Sequence, residues 1–138
     1  MDFKANIFEQ LGNAFYAIAS EQGVSGLVMG ELKMLLKKDW LFDDEMPDDK
    51  VPEPAHRMGL AIDALQTDQI PPSRAFSEFE RFYFEHEEQF SFAFKQKILE
   101  TAASILRVFP GEQGKRNVYY ENLQRLLRRT MQGMKSTS

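Results

Sequence analysis

FYAIASEQGVSGLVMGELKMLLKKDW, residues 15–40, carries two apolar-faced segments on either side of a bend, and its spacing decides the fold class. Ile18 and Ala19 close one apolar stripe, and Gly23 supplies the positive φ at which a helix stops in a left-handed cap. Leu27, Val28, Leu32, Leu35 and Leu36 open a second stripe at helical spacing. The stretch reads as helix, bend, helix.

The bend has the outline of an ion cradle without its lining. A twelve-residue calcium loop placed from Ser20 to Glu31 puts Leu27 at the apolar eighth position and Glu31 at the bidentate twelfth. Positions one, three and five, which supply oxygen ligands, hold Ser20, Gln22 and Val24, and the sixth, where glycine makes the sharp turn, holds Ser25. One carboxylate among neutral groups holds a hard cation feebly, so the bend is expected to serve as a structural hairpin.

Working outward, the first helix is predicted over residues 3–21, with Phe3, Ile7, Phe8, Leu11, Phe15 and Ile18 on one face. The second runs from about Leu27 towards Asp39 and ends in the clump Trp40, Leu41, Phe42, which is expected to pin the hairpin to the core. DDEMPDDKVPEP, residues 43–54, has too many prolines and carboxylates for regular structure and reads as a loop. A third helix starts near Glu53 with Met58, Ala61, Ile62 and Leu65 inward. A fourth spans about Pro72 to Glu87 with Phe76, Phe79, Phe82 and Tyr83 inward. The fifth begins near Ser91 and stops at Pro110-Gly111, and its small residues Ala102, Ala103 and Ser104 suggest burial on more than one side. Asn117 is an apt cap for a sixth helix presenting Tyr120, Leu123, Leu127, Met131 and Met134. No sustained period-two alternation occurs, so the expectation is an all-α single domain over residues 1–134, a bundle of five or six helices, with 135–138 as a frayed tail.

Composition bounds the function. With 138 residues, 43% apolar and 28% charged, the chain has the make-up of one soluble domain. It has neither an apolar run long enough to span a membrane nor the pattern of a signal peptide, and a cytoplasmic location is expected. The absence of cysteine excludes disulfides, thiolate metal sites and cysteine nucleophiles. Charge is unevenly spread. Residues 1–90 hold 18 acidic and 8 basic side chains, net −10, whereas 91–138 hold 3 and 9, net +6.

Candidate sites follow from those charges. Asp43, Asp44, Asp48 and Asp49 offer enough oxygens for a divalent cation, calcium or magnesium, if their loop folds back on itself. His86 among Glu85, Glu87 and Glu88 lacks the further ligands and the HExxH spacing that zinc asks for, and His56 at a helix start has no nucleophile motif beside it. Gly111 to Arg116, GEQGKR, lacks the spacing and the Ser or Thr of a phosphate loop. Lys115, Arg116, Arg125, Arg128 and Arg129 form a basic stripe along the sixth helix. Another protein, or the acidic part of a second copy, fits that stripe better than nucleic acid, because the whole chain is acidic and no aromatic side chain interleaves with the arginines.

Residues 15–40 taken with KILETAASILRVFPGEQGKRNVY, residues 97–119, resemble the tellurite-resistance TerB group of small all-helical proteins. The hallmark of that group is a helix ending in Ala-Asp-Gly, then an apolar residue and an acidic helix start. Tyr16, Ala17, Ile18, Ala19, Gly23 and Val24 fall in those places, and Glu31 lies in the second helix. The resemblance implies a stress-linked role and, in members that keep the acids, divalent-metal binding near the turn. Here Gln22 stands where the motif has Asp and Val28 stands near an expected acid, which removes the charge such a site needs. A weaker likeness to degenerate EF-hands covers residues 15–36 and 61–82, with Pro71-Pro72 in place of the second loop's glycine. The expectation is a non-enzymatic interaction or scaffold protein without a cofactor. The alternative is a metal-responsive module using the Asp43–Asp49 loop.

Overall fold

A computed structural model describes residues 3–23, 29–40, 54–111 and 115–136, with side chains between residues 6 and 128 of that range. Six α-helices account for most of them: α1 Phe3–Glu21, α2 Met29–Asp39, α3 Pro54–Thr67, α4 Pro72–Glu85, α5 Phe92–Val108 and α6 Val118–Ser136. A single 3₁₀ turn, Glu87–Gln89, follows α4, and the described residues include no strand. The all-α expectation holds, with α4 ending two residues sooner than its acidic run suggested.

The bundle is organised around α1. This helix packs most extensively on α3 and α4 and also meets α5 and α6. Its first half follows the predicted single face, with Ile7 and Leu11 buried and Glu9 exposed. From Ala14 to Ala19 the pattern changes, and six consecutive residues are buried. A helix apolar on all sides belongs in the interior. Burial on more than one side, expected of the fifth helix from its small residues, is thus most complete in α1.

Gly12 is the reason α1 and α3 approach so closely. A Cβ at this position would lie 2.9 Å from the Met58 carbonyl oxygen and 3.0 Å from the Ala61 Cβ. Backbone rather than a movable side chain fills that space, and the contact tolerates hydrogen only.

Elsewhere, local chemistry sets the element ends. Gly23 has φ +82°, the left-handed stop predicted for the first helix. Gln69 takes φ +53° while the Ile70 amide donates to the Leu65 carbonyl at 2.9 Å, the six-to-one bond of a Schellman ending with Gln in the usual glycine place. Pro72 opens α4, where a missing N–H costs nothing. Ser91 caps α5 by accepting from the Phe94 amide at 3.1 Å.

Aromatic side chains fill the end of the bundle away from the bend. Phe79, Tyr83 and Phe90 pack ring on ring, with Tyr83 and Phe90 centroids 4.8 Å apart. Trp40 is buried, sits edge-on between Phe8 and Phe94, and donates its Nε1–H to Thr101 Oγ1 at 3.0 Å. It fastens the end of α2 to α5 as the sequence suggested.

Lys95 was not foreseen in this region. It is only 1% exposed, and its ammonium lies 5.8 Å from the centre of the Tyr83 ring. Burial pushes its pKa below the ordinary lysine value, while the negative charge of Glu87 acts in the opposite direction.

Two outcomes follow for stability. Gly12→Ala should lower unfolding free energy by about 1–3 kcal/mol, because overpacking against backbone outweighs the better helix propensity of alanine; an unchanged denaturation midpoint would count against the close contact. For Lys95, the folded chain holds its proton less tightly than the unfolded chain, so stability rises as pH climbs through the alkaline range just below the ordinary lysine pKa. Lys95→Met removes this dependence, and its melting-temperature advantage over the wild type should shrink across the same alkaline range.

Candidate functional site

The end of α1 meets the end of α5 and the start of α6, and this junction gathers the bend with the first two members of the basic stripe. Two amide side chains tie it together. Gln22, just past α1, donates from Nε2 to the Phe109 carbonyl at 2.7 Å. Its Oε1 accepts from Asn117 Nδ2 at 2.9 Å. Asn117 is 6% exposed and also donates to the Ile18 carbonyl at 2.9 Å, and its Oδ1 caps α6 by accepting from the Tyr120 amide at 3.0 Å.

These bonds answer a physical demand. A helix ends with unsatisfied carbonyls and begins with unsatisfied amides, and a buried end needs partners for both. Gln22 and Asn117 supply them for three helices at once. Gln22 is therefore committed to donating one hydrogen bond and accepting another. A carboxylate could not make the donation to Phe109.

Beside this link lies a groove of about 460 Å³. Leu106, Pro110 and Tyr120 give it apolar walls, Gln22 and Gly111 line its α1 side, and Lys115 and Glu121 stand at its edge. Its lining thus mixes apolar, amide and charged side chains.

The predicted basic residues differ in their surroundings. Lys115 Nζ lies 3.6 Å from Glu21 Oε1. Arg116 makes a two-pronged contact with Glu121, 2.7 Å from Nε to Oε2 and 3.0 Å from Nη2 to Oε1. That hydrogen bond first, and then the charge of Glu121, raise the arginine pKa above its ordinary value. Arg125 donates to Asn122 Oδ1 at 2.8 Å. Arg125 and Arg128 are exposed, whereas the Arg129 side chain lies outside the described residues. Lys115 and Arg116 thus face carboxylates and Arg125 an amide oxygen.

Asp43, Asp44, Asp48 and Asp49 all lie outside the described residues. Glu31 is exposed in the first turn of α2. Among the described residues, no group of three His, Asp or Glu side chains gathers to hold a metal. His86 stacks on Phe82 with centroids 4.2 Å apart, and its Nδ1 lies 3.0 Å from the Phe82 carbonyl oxygen, a contact that needs the proton on Nδ1. The ring closes the end of α4.

Sequence reasoning identified Asn117 as a cap and missed Gln22 as its partner. The only signal was the Gln itself, a donor and an acceptor on one short arm at the end of a buried helix, and its target lies 87 residues away. Pro110 was read as a helix terminator, and the groove it shares with Leu106 depends on how α5 lies against α6.

Gln22→Ala should cost about 1–3 kcal/mol of unfolding free energy by leaving Asn117 and the helix ends short of partners. Gln22→Asp, which puts a carboxylate in place of the amide, should lose as much and show no rise in melting temperature with millimolar calcium. Wild-type stability in both variants would mean that the link between the helix ends is dispensable.

Comparisons of the chain with family models, with curated proteins and with solved structures yield no match.

Proposed function

We propose that this chain is a non-enzymatic interaction module, cytoplasmic and TerB-like, whose partner docks on the α1–α5–α6 junction and along the exposed arginines of α6. The observation that carries the reading is the groove beside Gln22 and Asn117, with apolar walls of Leu106, Pro110 and Tyr120 and a charged margin of Lys115 and Glu121. Such a surface offers desolvated apolar contact at its centre and exchangeable ion pairs at its edge.

The junction's amides are directed at each other and at helix ends, which leaves them poorly placed to polarise a substrate. Exposed ion pairs such as Lys115 with Glu21 contribute little to folding. They are therefore cheap to exchange for a partner's carboxylates. A second copy of the chain provides suitable chemistry, since residues 1–90 are net −10, and another protein with an acidic face does so equally.

Sedimentation of the wild type through the micromolar range, with cross-linking of tagged chain in cell extract, tests this reading. Lys115→Glu combined with Arg125→Glu and Arg128→Glu should abolish self-association or release the cross-linked protein, with helicity retained. A wild type that stays monomeric and cross-links the same proteins as the triple variant would overturn it.

A further inference from the structure

Between α2 and α3, away from the junction, runs a second groove of about 240 Å³. Lys33 and Lys37, one turn apart on α2, line one wall, and His56 in the first turn of α3 lines the other. Ala55 and Leu60 give it an apolar side, and Leu60 is 55% exposed.

Gly59 shapes its floor. A Cβ there would come 3.3 Å from Lys33 Cδ and 3.8 Å from Cγ, so the lysine stem lies across bare helix backbone. Glycine in a helix interior costs about 1 kcal/mol relative to alanine. At this position the gap lets Lys33 cross α3 and reach Asp63 Oδ1 at 2.7 Å. One of three ammonium hydrogens is thereby used, and the ion pair fixes where the other two are offered.

Charge sets this groove apart from its surroundings. Among the described residues two ammonium groups and an imidazole line it with one carboxylate, that of Asp63, within the part of the chain that is net −10 overall. A concentration of cations in an otherwise acidic region is aimed at an anion.

We propose that the α2–α3 groove binds a small phosphate monoester, with the phosphate held by Lys33, Lys37 and His56 and a short apolar body resting on Ala55 and Leu60. The volume is below the range of about 300–1,000 Å³ typical of drug-sized ligands. A phosphate bearing a few carbons or one ring fills it.

Amide chemical shifts of isotope-labelled protein, titrated with phenyl phosphate, inorganic phosphate and phenol, test the assignment. Phenyl phosphate should give saturable shifts at Gly59 and Leu60, more tightly than either fragment. Lys37→Gln, a change on an exposed helix face, should weaken binding by about fivefold or more, the equivalent of losing roughly one charge-assisted contact. Gly59→Ala should weaken it without any change of charge, by narrowing the floor. The proposal is overturned if phenol binds as tightly as phenyl phosphate, if shifts around Lys97 and Arg107 match those in the groove, or if Lys37→Gln leaves affinity unchanged.

Discussion

The missing side chain at Gly12 sets the geometry on which the rest of the bundle depends. With only hydrogen at that position, α1 lies against the backbone of α3, and its second half is enclosed by neighbouring helices. Six successive buried residues, Ala14 to Ala19, turn an amphipathic helix into a central one. The other elements then compete for sides of a single rod, and the large rings of α4 and of the segment before α5 fill what remains.

A central helix creates a problem at its own end. The last turn of a helix leaves carbonyls short of intrahelical partners, and at the end of α1 Ile18 and Ala19 are buried while Ser20 and Glu21 are half-buried. Gln22 and Asn117 resolve this with neutral amides, which donate and accept at once and carry no desolvated charge. Calcium chemistry and helix-end chemistry make opposite demands on the residue after α1, and in this chain the helix ends prevail. Gln22 is thereby tied to residues far along the sequence, and a groove lies beside the tie.

Charges on this fold settle mostly with neighbours. Lys115 and Arg116 find glutamates, Lys33 finds Asp63, and the Lys97 ammonium sits 4.9 Å above the Trp40 ring. Lys95 is buried beside Tyr83 in the aromatic end of the bundle. Net charge by segment therefore describes the fields the molecule presents, while the availability of each cation depends on which acid the fold puts next to it.

What the sequence determined by itself is local. The all-α class, the order of six helices, the stop at Gly23, the caps at Ser91 and Asn117 and the inward rings of α4 all follow from periodicity and end chemistry acting over a few residues. Only the tertiary structure decided that α1 is the central rod, that Gly12 is its contact point, that Lys95 is buried and that Gln22 reaches Phe109. Both grooves, one beside the junction and one between α2 and α3, are likewise its product. These features depend on which helix lies beside which, at separations of up to 99 residues in the bond from Asn117 to Ile18. Periodicity tells a helix which of its faces to bury, and says nothing about the neighbour against which that face is buried.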